Sequence, residues 1–98
     1  MTPELRQQAL NALQESHRFL TYAGPNSADF YEYVAKQVRD IYGQMKTCEL
    51  QEGLDEGMFV QLGSVDALLH GEQLSLVDFQ ALQGSLRQYT NMIIKEAR

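Results

Sequence analysis

The sequence predicts an all-α fold, a small antiparallel four-helix bundle. Apolar residues recur at steps of three and four in four segments, at about residues 3–23, 27–51, 55–70 and 76–97. Glycine-containing turns separate these segments, and both prolines lie where a helix can start or stop. Short turns make antiparallel neighbours the default. We therefore expect one helical domain over 1–98, complete in one chain or completed by dimerisation.

The first segment, 3–23, has a start signal and a stop signal. Thr2 can cap the helix, Pro3 fits the first helical position, and Glu4 complements the helix dipole. A glycine and a proline at 24–25 then end the helix. The predicted apolar side comprises Leu5, Ala9, Leu10, Ala12, Leu13, His17, Phe19 and Leu20.

The second segment, 27–51, carries the widest apolar arc. Its stripe is Phe30, Val34, Val38, Ile41, Met45 and Cys48, and it is widened by Tyr31, Tyr33, Ala35 and Tyr42. One neighbouring helix would not cover an arc of this width. We therefore expect this helix either at the centre of the bundle or at a contact with another chain, with Gly53 as its terminator.

The third segment, 55–70, is expected to start with Asp55 as its cap and Glu56 as support for the helix dipole. Gly57 and Gly63 weaken the helix, each by about 1 kcal/mol relative to alanine. Gly63 is expected either to allow close helix packing or to bend the helix. The core stripe of this segment is Met58, Leu62, Val65 and Leu69.

The fourth segment, 76–97, has the clearest start. Ser75 stands at the cap with Asp78 three residues on, which resembles a capping box. Leu74 and Phe79 occupy the positions of a hydrophobic staple. The apolar residues then step 3-4-3-4 through Phe79, Leu82, Leu86, Tyr89 and Ile93.

The composition is typical of a globular protein that binds neither nucleic acid nor membrane. The formal net charge of −5 opposes nonspecific binding to phosphate backbones. No segment approaches the roughly 20 apolar residues of a membrane span, and the N-terminal MTPELRQQAL lacks the apolar run of a signal peptide. The single cysteine cannot form an internal disulfide, so we expect a reducing, cytoplasmic setting.

The third quarter of the chain is purely acidic. No lysine or arginine occurs between Lys46 and Arg87, and this interval holds Glu49, Glu52, Asp55, Glu56, Asp66, Glu72 and Asp78. One interpretation is a solvated face that aids solubility. The other is a docking surface for a basic partner.

No motif points to catalysis or to a cofactor. The acids at 49–56 lack the spacing of a calcium loop, and neither His17 nor His70 has the glutamate three residues before it that a di-iron bundle requires. Cys48 is in phase with the apolar stripe, so we expect a packing residue rather than a nucleophile. We therefore expect a non-enzymatic protein without metal or cofactor.

Protein binding is the remaining function, and its candidate residues are Tyr31, Tyr33, Tyr42, Glu52, Asp55 and Glu56. The tyrosines either fill the core of one bundle or contact a partner. The leading hypothesis is an interaction module: an adaptor, a regulator or a self-associating structural component, with a protein partner and a homo-oligomeric state. The alternative is an acidic inhibitor or nucleic-acid mimic that binds a basic groove of its partner through 49–78.

Overall fold

The structure, a computed structural model, describes residues 1–22 and 28–96. It contains four helices: α1 (Pro3–Tyr22), α2 (Ala28–Lys46), α3 (Leu54–Leu69) and α4 (Leu76–Glu96). The all-α four-helix prediction is confirmed. The predicted glycine–proline stop and the predicted helix ends at 23, 27 and 97 lie outside the described residues. Within the described ranges, no helix is both long and apolar enough to cross a membrane.

Two helices begin at the predicted side-chain caps. Thr2 Oγ1 accepts a hydrogen bond from the Leu5 backbone N–H at 3.1 Å. Ser75 Oγ accepts one from the Asp78 backbone N–H at 3.2 Å. Each bond satisfies a backbone donor that has no partner within its own helix. The start signals at α1 and α4 are therefore confirmed.

Contacts between helix ends define an up-down-up-down arrangement. Phe19 near the end of α1 packs on Phe30 at the start of α2, with ring centroids 5.9 Å apart. The Tyr31 hydroxyl, also at the start of α2, donates to the carbonyl of Leu69 at the end of α3. Gly57 at the start of α3 faces Tyr89 in the second half of α4. Each helix is thus antiparallel to the next one along the chain.

Both α1 and α3 contact all three other helices, whereas α2 and α4 are not in contact within the described residues. A central position for the second helix, the first of its two expected alternatives, is therefore wrong, and a contact with another chain stays a prediction. The apolar arc of α2 is wide because it meets two neighbours, α1 on one side and α3 on the other. The middle of the arc is buried as predicted, at Val34, Ala35, Val38, Ile41 and Met45.

The α2 helix ends at Lys46, earlier than the predicted residue 51. The backbone N–H groups of Thr47 and Cys48 bond to carbonyls three residues back, which is a tightened last turn. Cys48 therefore follows the helix, although it still packs, partly buried, against the core. Gly53 then adopts φ 91°, a left-handed conformation that favours glycine, directly before α3.

Candidate functional site

Asp55 forms a buried ion pair instead of lying on the surface. Its carboxylate is 1% exposed and accepts two hydrogen bonds from Arg6, Nε to Oδ1 at 2.8 Å and Nη2 to Oδ2 at 3.1 Å. Contrary to the prediction from the sequence, Asp55 is also not the cap of α3. The cap position is occupied by Gly53, which makes no side-chain hydrogen bond to the helix. Asp55 instead accepts the Gln51 backbone N–H at 3.2 Å and so fixes the turn before the helix.

The Arg6 guanidinium holds the pKa of the Asp55 carboxyl below its usual range. Burial opposes this shift, and the hydrogen bond from Gln51 adds to it. Asp55 is therefore ionised, paired and inaccessible to a partner. Of the three predicted acidic binding residues, only Glu52 and Glu56 are exposed.

The acidic segment does not form one surface. Glu52 and Glu56 lie at the start of α3, whereas Glu72 and Asp78 follow its end. The 16 residues of α3 span about 24 Å, so Glu52 before the helix lies far from Glu72 after it, whereas Glu56 lies within α3 and Asp78 lies beside Gln61 and Ser64. Asp66, between them, is paired with Arg39 at 3.4 Å. Glu52 and Glu72 therefore lie at opposite ends of α3.

Tyr31 and Tyr33 belong to an aromatic cluster with Phe19 and Phe30 at the α1–α2 junction. Tyr31 lies 5.6 Å from Phe19 between ring centroids, and Tyr33 stacks on Phe30 at 6.4 Å. The guanidinium carbon of Arg18 lies 5.8 Å from the Phe30 centroid. The cluster joins the ends of three helices, because Tyr31 also bonds to α3. Tyr33 remains 56% exposed, so one side of it is accessible.

Tyr42 lies apart from the other two tyrosines. It is nine residues after Tyr33, about 13 Å along the same helix. Its ring stacks on Phe59 with centroids 4.7 Å apart, and Lys46 Nζ lies 4.5 Å from its centroid. A Cβ atom at Gly63 would lie only 3.1–3.3 Å from this ring. Gly63 therefore allows close helix packing, the first of its two predicted roles.

A groove with two lobes runs along the outer face of α3. The first lobe, about 390 Å³, lies between the ring pair Tyr42–Phe59 and Leu74. The second, about 310 Å³, lies between α3 and the first half of α4 and is lined by Ala81 and Leu82, among others. Ser64 and Leu74 line both lobes, which therefore adjoin each other and together present one surface. We call this surface the α3 groove.

The outer face of α3 is unusually apolar for a solvent-facing helix surface. Its inner face buries the predicted stripe, Met58, Leu62, Val65 and Leu69. On the opposite side, Val60 is 60% exposed, and Gly63, Ser64 and Ala67 form the groove floor. A surface helix ordinarily carries charged residues on the side away from the core. The apolar outer face is therefore a feature that packing within the bundle does not explain.

The charges lining the α3 groove are all negative: Glu72 in the first lobe and Asp78 in the second. Neither acid has an ion-pair partner among the residues that the structure describes. Glu56 extends the negative charge, because it lies one helical turn before Val60 on the same face. Lys46 is the nearby base, on the α2 side of the Tyr42 ring.

The histidines and the cysteine are not brought together. His17 lines a small groove of about 210 Å³ with Arg87, and burial followed by the Arg87 charge lowers its pKa. His70 lies at the end of α3, with Nδ1 2.8 Å from the Asp66 carbonyl oxygen. Over residues 1–22 and 28–96, no group of three or more His, Cys, Asp or Glu side chains is placed to hold a metal ion.

Comparison with known protein families, with curated proteins and with solved structures found no match. The fold and the site therefore define a class by geometry alone: a four-helix bundle with an acid-rimmed apolar groove on its third helix. The groove was not predicted from the sequence, although the helical period of 3.6 residues places Val60 and Ala67 opposite the core stripe of α3. Nor was the role of Arg6, whose partner is 49 residues away.

Proposed function

We propose that this protein is a non-enzymatic protein-interaction module that docks a segment of a protein partner in the α3 groove. The apolar outer face of α3 is the observation that carries this proposal. Val60 is exposed beside a floor of small residues, and the two lobes have volumes near the lower end of the range for binding pockets, about 300–1,000 Å³.

The shape of the groove favours a helical segment. Its floor is the α3 helix with Gly63, Ser64 and Ala67 in the lining, and small side chains allow another helix to approach closely. The two lobes flank the outer face of α3, one toward α2 and the other toward α4, so a docked helix can place apolar side chains in both. The module would thus bind an amphipathic helix along α3.

The alternative function, an acidic inhibitor acting through 49–78, has less support. Such a mimic needs its carboxylates on one surface, but Glu52 and Glu72 lie at opposite ends of α3. Two of the seven acids, Asp55 and Asp66, are already paired with arginines. The aromatic cluster is the less favoured docking surface, because its rings pack on one another across the α1–α2 junction, although Tyr33 stays 56% exposed.

Selection from a displayed library of amphipathic helical peptides tests the proposal. Ser64→Phe fills the groove at an exposed position, and Asn11→Phe adds the same ring to the exposed side of α1 as a matched control. Selected peptides should bind the wild type and Asn11→Phe equally, and should lose at least about tenfold in affinity for Ser64→Phe. If no selected peptide is sensitive to Ser64→Phe, the α3 groove is not the docking site.

A further inference from the structure

We infer that the segment docked in the α3 groove is an amphipathic helix of another protein, with lysine or arginine residues flanking its apolar face. This inference rests on the proposed function and names the partner chemistry of the same site. It is drawn from the distribution of charge around the groove.

The groove combines an apolar floor with a negative rim. Val60 and Ala67 lie on its floor, and Glu72 and Asp78 line its two lobes. No lysine or arginine occurs from residue 47 to residue 86, so α3, the following turn and the first half of α4 contribute no such charge. A docked segment would therefore meet carboxylates near both lobes. Complementary charge favours lysine and arginine at the corresponding positions.

The charges on neighbouring elements do not cancel this rim. Lys46 lies over the Tyr42 ring at the α2 edge of the first lobe. Arg39 is engaged with Asp66, which His70 also contacts at 3.3 Å. Arg6 is engaged with Asp55 in the interior. The rim therefore stays negative, since one lysine lies at its α2 edge and the exposed carboxylates are three, at positions 56, 72 and 78.

A second copy of this chain fits the groove poorly. Pairing two α3 outer faces about a twofold axis near Ser64 would bring Glu56 of one copy close to Glu72 of the other, twice in the same interface. Like charges set against each other in an interface are costly. Each copy also carries a net charge of −5, which adds long-range repulsion. The groove therefore favours a basic partner over self-association.

Three displayed libraries of helical peptides, about 16 residues each, test the charge requirement. All randomise the apolar positions, and the flanking positions are fixed as lysine, glutamine or glutamate. Selection against the full chain should give the tightest binders from the lysine library. Their affinity should exceed that of the best glutamine-library binders by at least about tenfold at low salt, and the advantage should shrink as salt is added.

Two double variants assign the effect to the groove. Glu72→Lys with Asp78→Lys should weaken the lysine-library binders by at least about tenfold. Glu32→Lys with Asp40→Lys makes the same charge change on exposed positions of α2 and should leave them unchanged. The double variant Glu72→Gln with Asp78→Asn removes both charges without reversing them, and it should give a smaller loss of affinity than the lysine variant. It serves as a second test with a milder effect on folding.

The outcomes separate this inference from the proposed function. Equally tight binders from all three libraries, all sensitive to Ser64→Phe, would overturn the basic-partner inference and leave groove docking intact. If no library yields binders that are sensitive to Ser64→Phe, both the basic-partner inference and docking in the α3 groove are overturned. Sedimentation adds an independent check: a dimer of the wild type that dissociates in Ser64→Phe would identify a second copy as the occupant and overturn the inference.

Discussion

Arg6 and Asp55 connect the first turns of α1 and α3, with Nε 2.8 Å from Oδ1 and Nη2 3.1 Å from Oδ2. The pair is bidentate, a geometry that only an arginine fork makes with a carboxylate. Asp55 is 1% exposed while the Arg6 side chain keeps 30% of its surface in solvent. The pair therefore closes the end of the bundle where α3 begins.

Asp55→Asn should destabilise the protein by about 2 kcal/mol, because a buried group loses charge-assisted hydrogen bonds. The loss of unfolding free energy should be smaller than for breaking a fully buried ion pair, because the Arg6 side chain that remains is partly hydrated. Urea unfolding measures the change. Glu15→Gln removes the carboxylate of the Arg18 pair, whose arginine is 60% exposed, and should cost well under about 1 kcal/mol. Equal losses in the two variants would contradict the structural role of Asp55.

Acid should remove the contribution of Asp55 to stability. Its folded pKa is lowered, so the stabilisation is fully present above the unfolded pKa of about 3.9 and is lost as pH falls through the folded pKa. The gap in unfolding free energy between wild type and Asp55→Asn should therefore be largest near neutral pH and should narrow below about pH 4. Urea titrations at several pH values measure the gap. A gap that stays constant into acid would show that ionisation of Asp55 is not the cause.

Gly57 and Tyr89 should show coupled effects on stability. A Cβ at Gly57 would lie 2.6 Å from the Tyr89 hydroxyl oxygen but 3.9 Å from the ring carbon that carries it. Gly57→Ala should therefore be costly in the wild type, whereas in Tyr89→Phe it should gain up to about 1 kcal/mol of helix propensity. A double-mutant cycle in urea measures the coupling, expected at about 1 kcal/mol.

Gly84→Ala is the control for this cycle, because nothing lies within 4 Å of a Cβ at that helical position. It should stabilise the protein by up to about 1 kcal/mol whether residue 89 is tyrosine or phenylalanine. Additive effects at Gly57 and Tyr89 would show that the hydroxyl does not restrict the glycine.

Gly63→Ala should destabilise the protein by about 1–2 kcal/mol through overpacking against Tyr42. The ring has little room to move, since Phe59 stacks on one side and Lys46 lies over it. Gly43→Ala makes the same change in α2 where a Cβ meets nothing within 4 Å, so it should stabilise the protein instead. Thermal unfolding compares the two. A stabilising Gly63→Ala would mean that the ring shifts freely.

The bundle was predictable because its signals are local. The caps at Thr2 and Ser75 and the buried stripe of α3 follow from residues three or four apart, which share one helix face. The end of α2 was not predictable in the same way. The apolar stripe continues to Cys48, but the helix stops at Lys46 and the Asp55 carboxylate holds the Gln51 N–H in the turn before α3.

The candidate site was predictable only in part, because it depends on contacts between distant residues. The sequence pattern singled out Tyr42, which lines the edge of the α3 groove, and Glu56, which lies one turn before Val60 on the same face of α3. The pattern could not distinguish Tyr42 from Tyr31 and Tyr33, because the position of a residue around α2 does not reveal which neighbouring helix it contacts. It also grouped Asp55 with the exposed acids, because the pairing with Arg6 is visible only in three dimensions.

NMR mapping of a library-selected helical peptide on the full chain tests whether the outer face of α3 is the docking surface. Changes in backbone amide chemical shift should concentrate along the α3 groove, at Val60, Ser64, Ala67, Leu74 and Ala81. Shifts confined to the aromatic cluster around Tyr33, with the α3 groove unchanged, would contradict docking on α3.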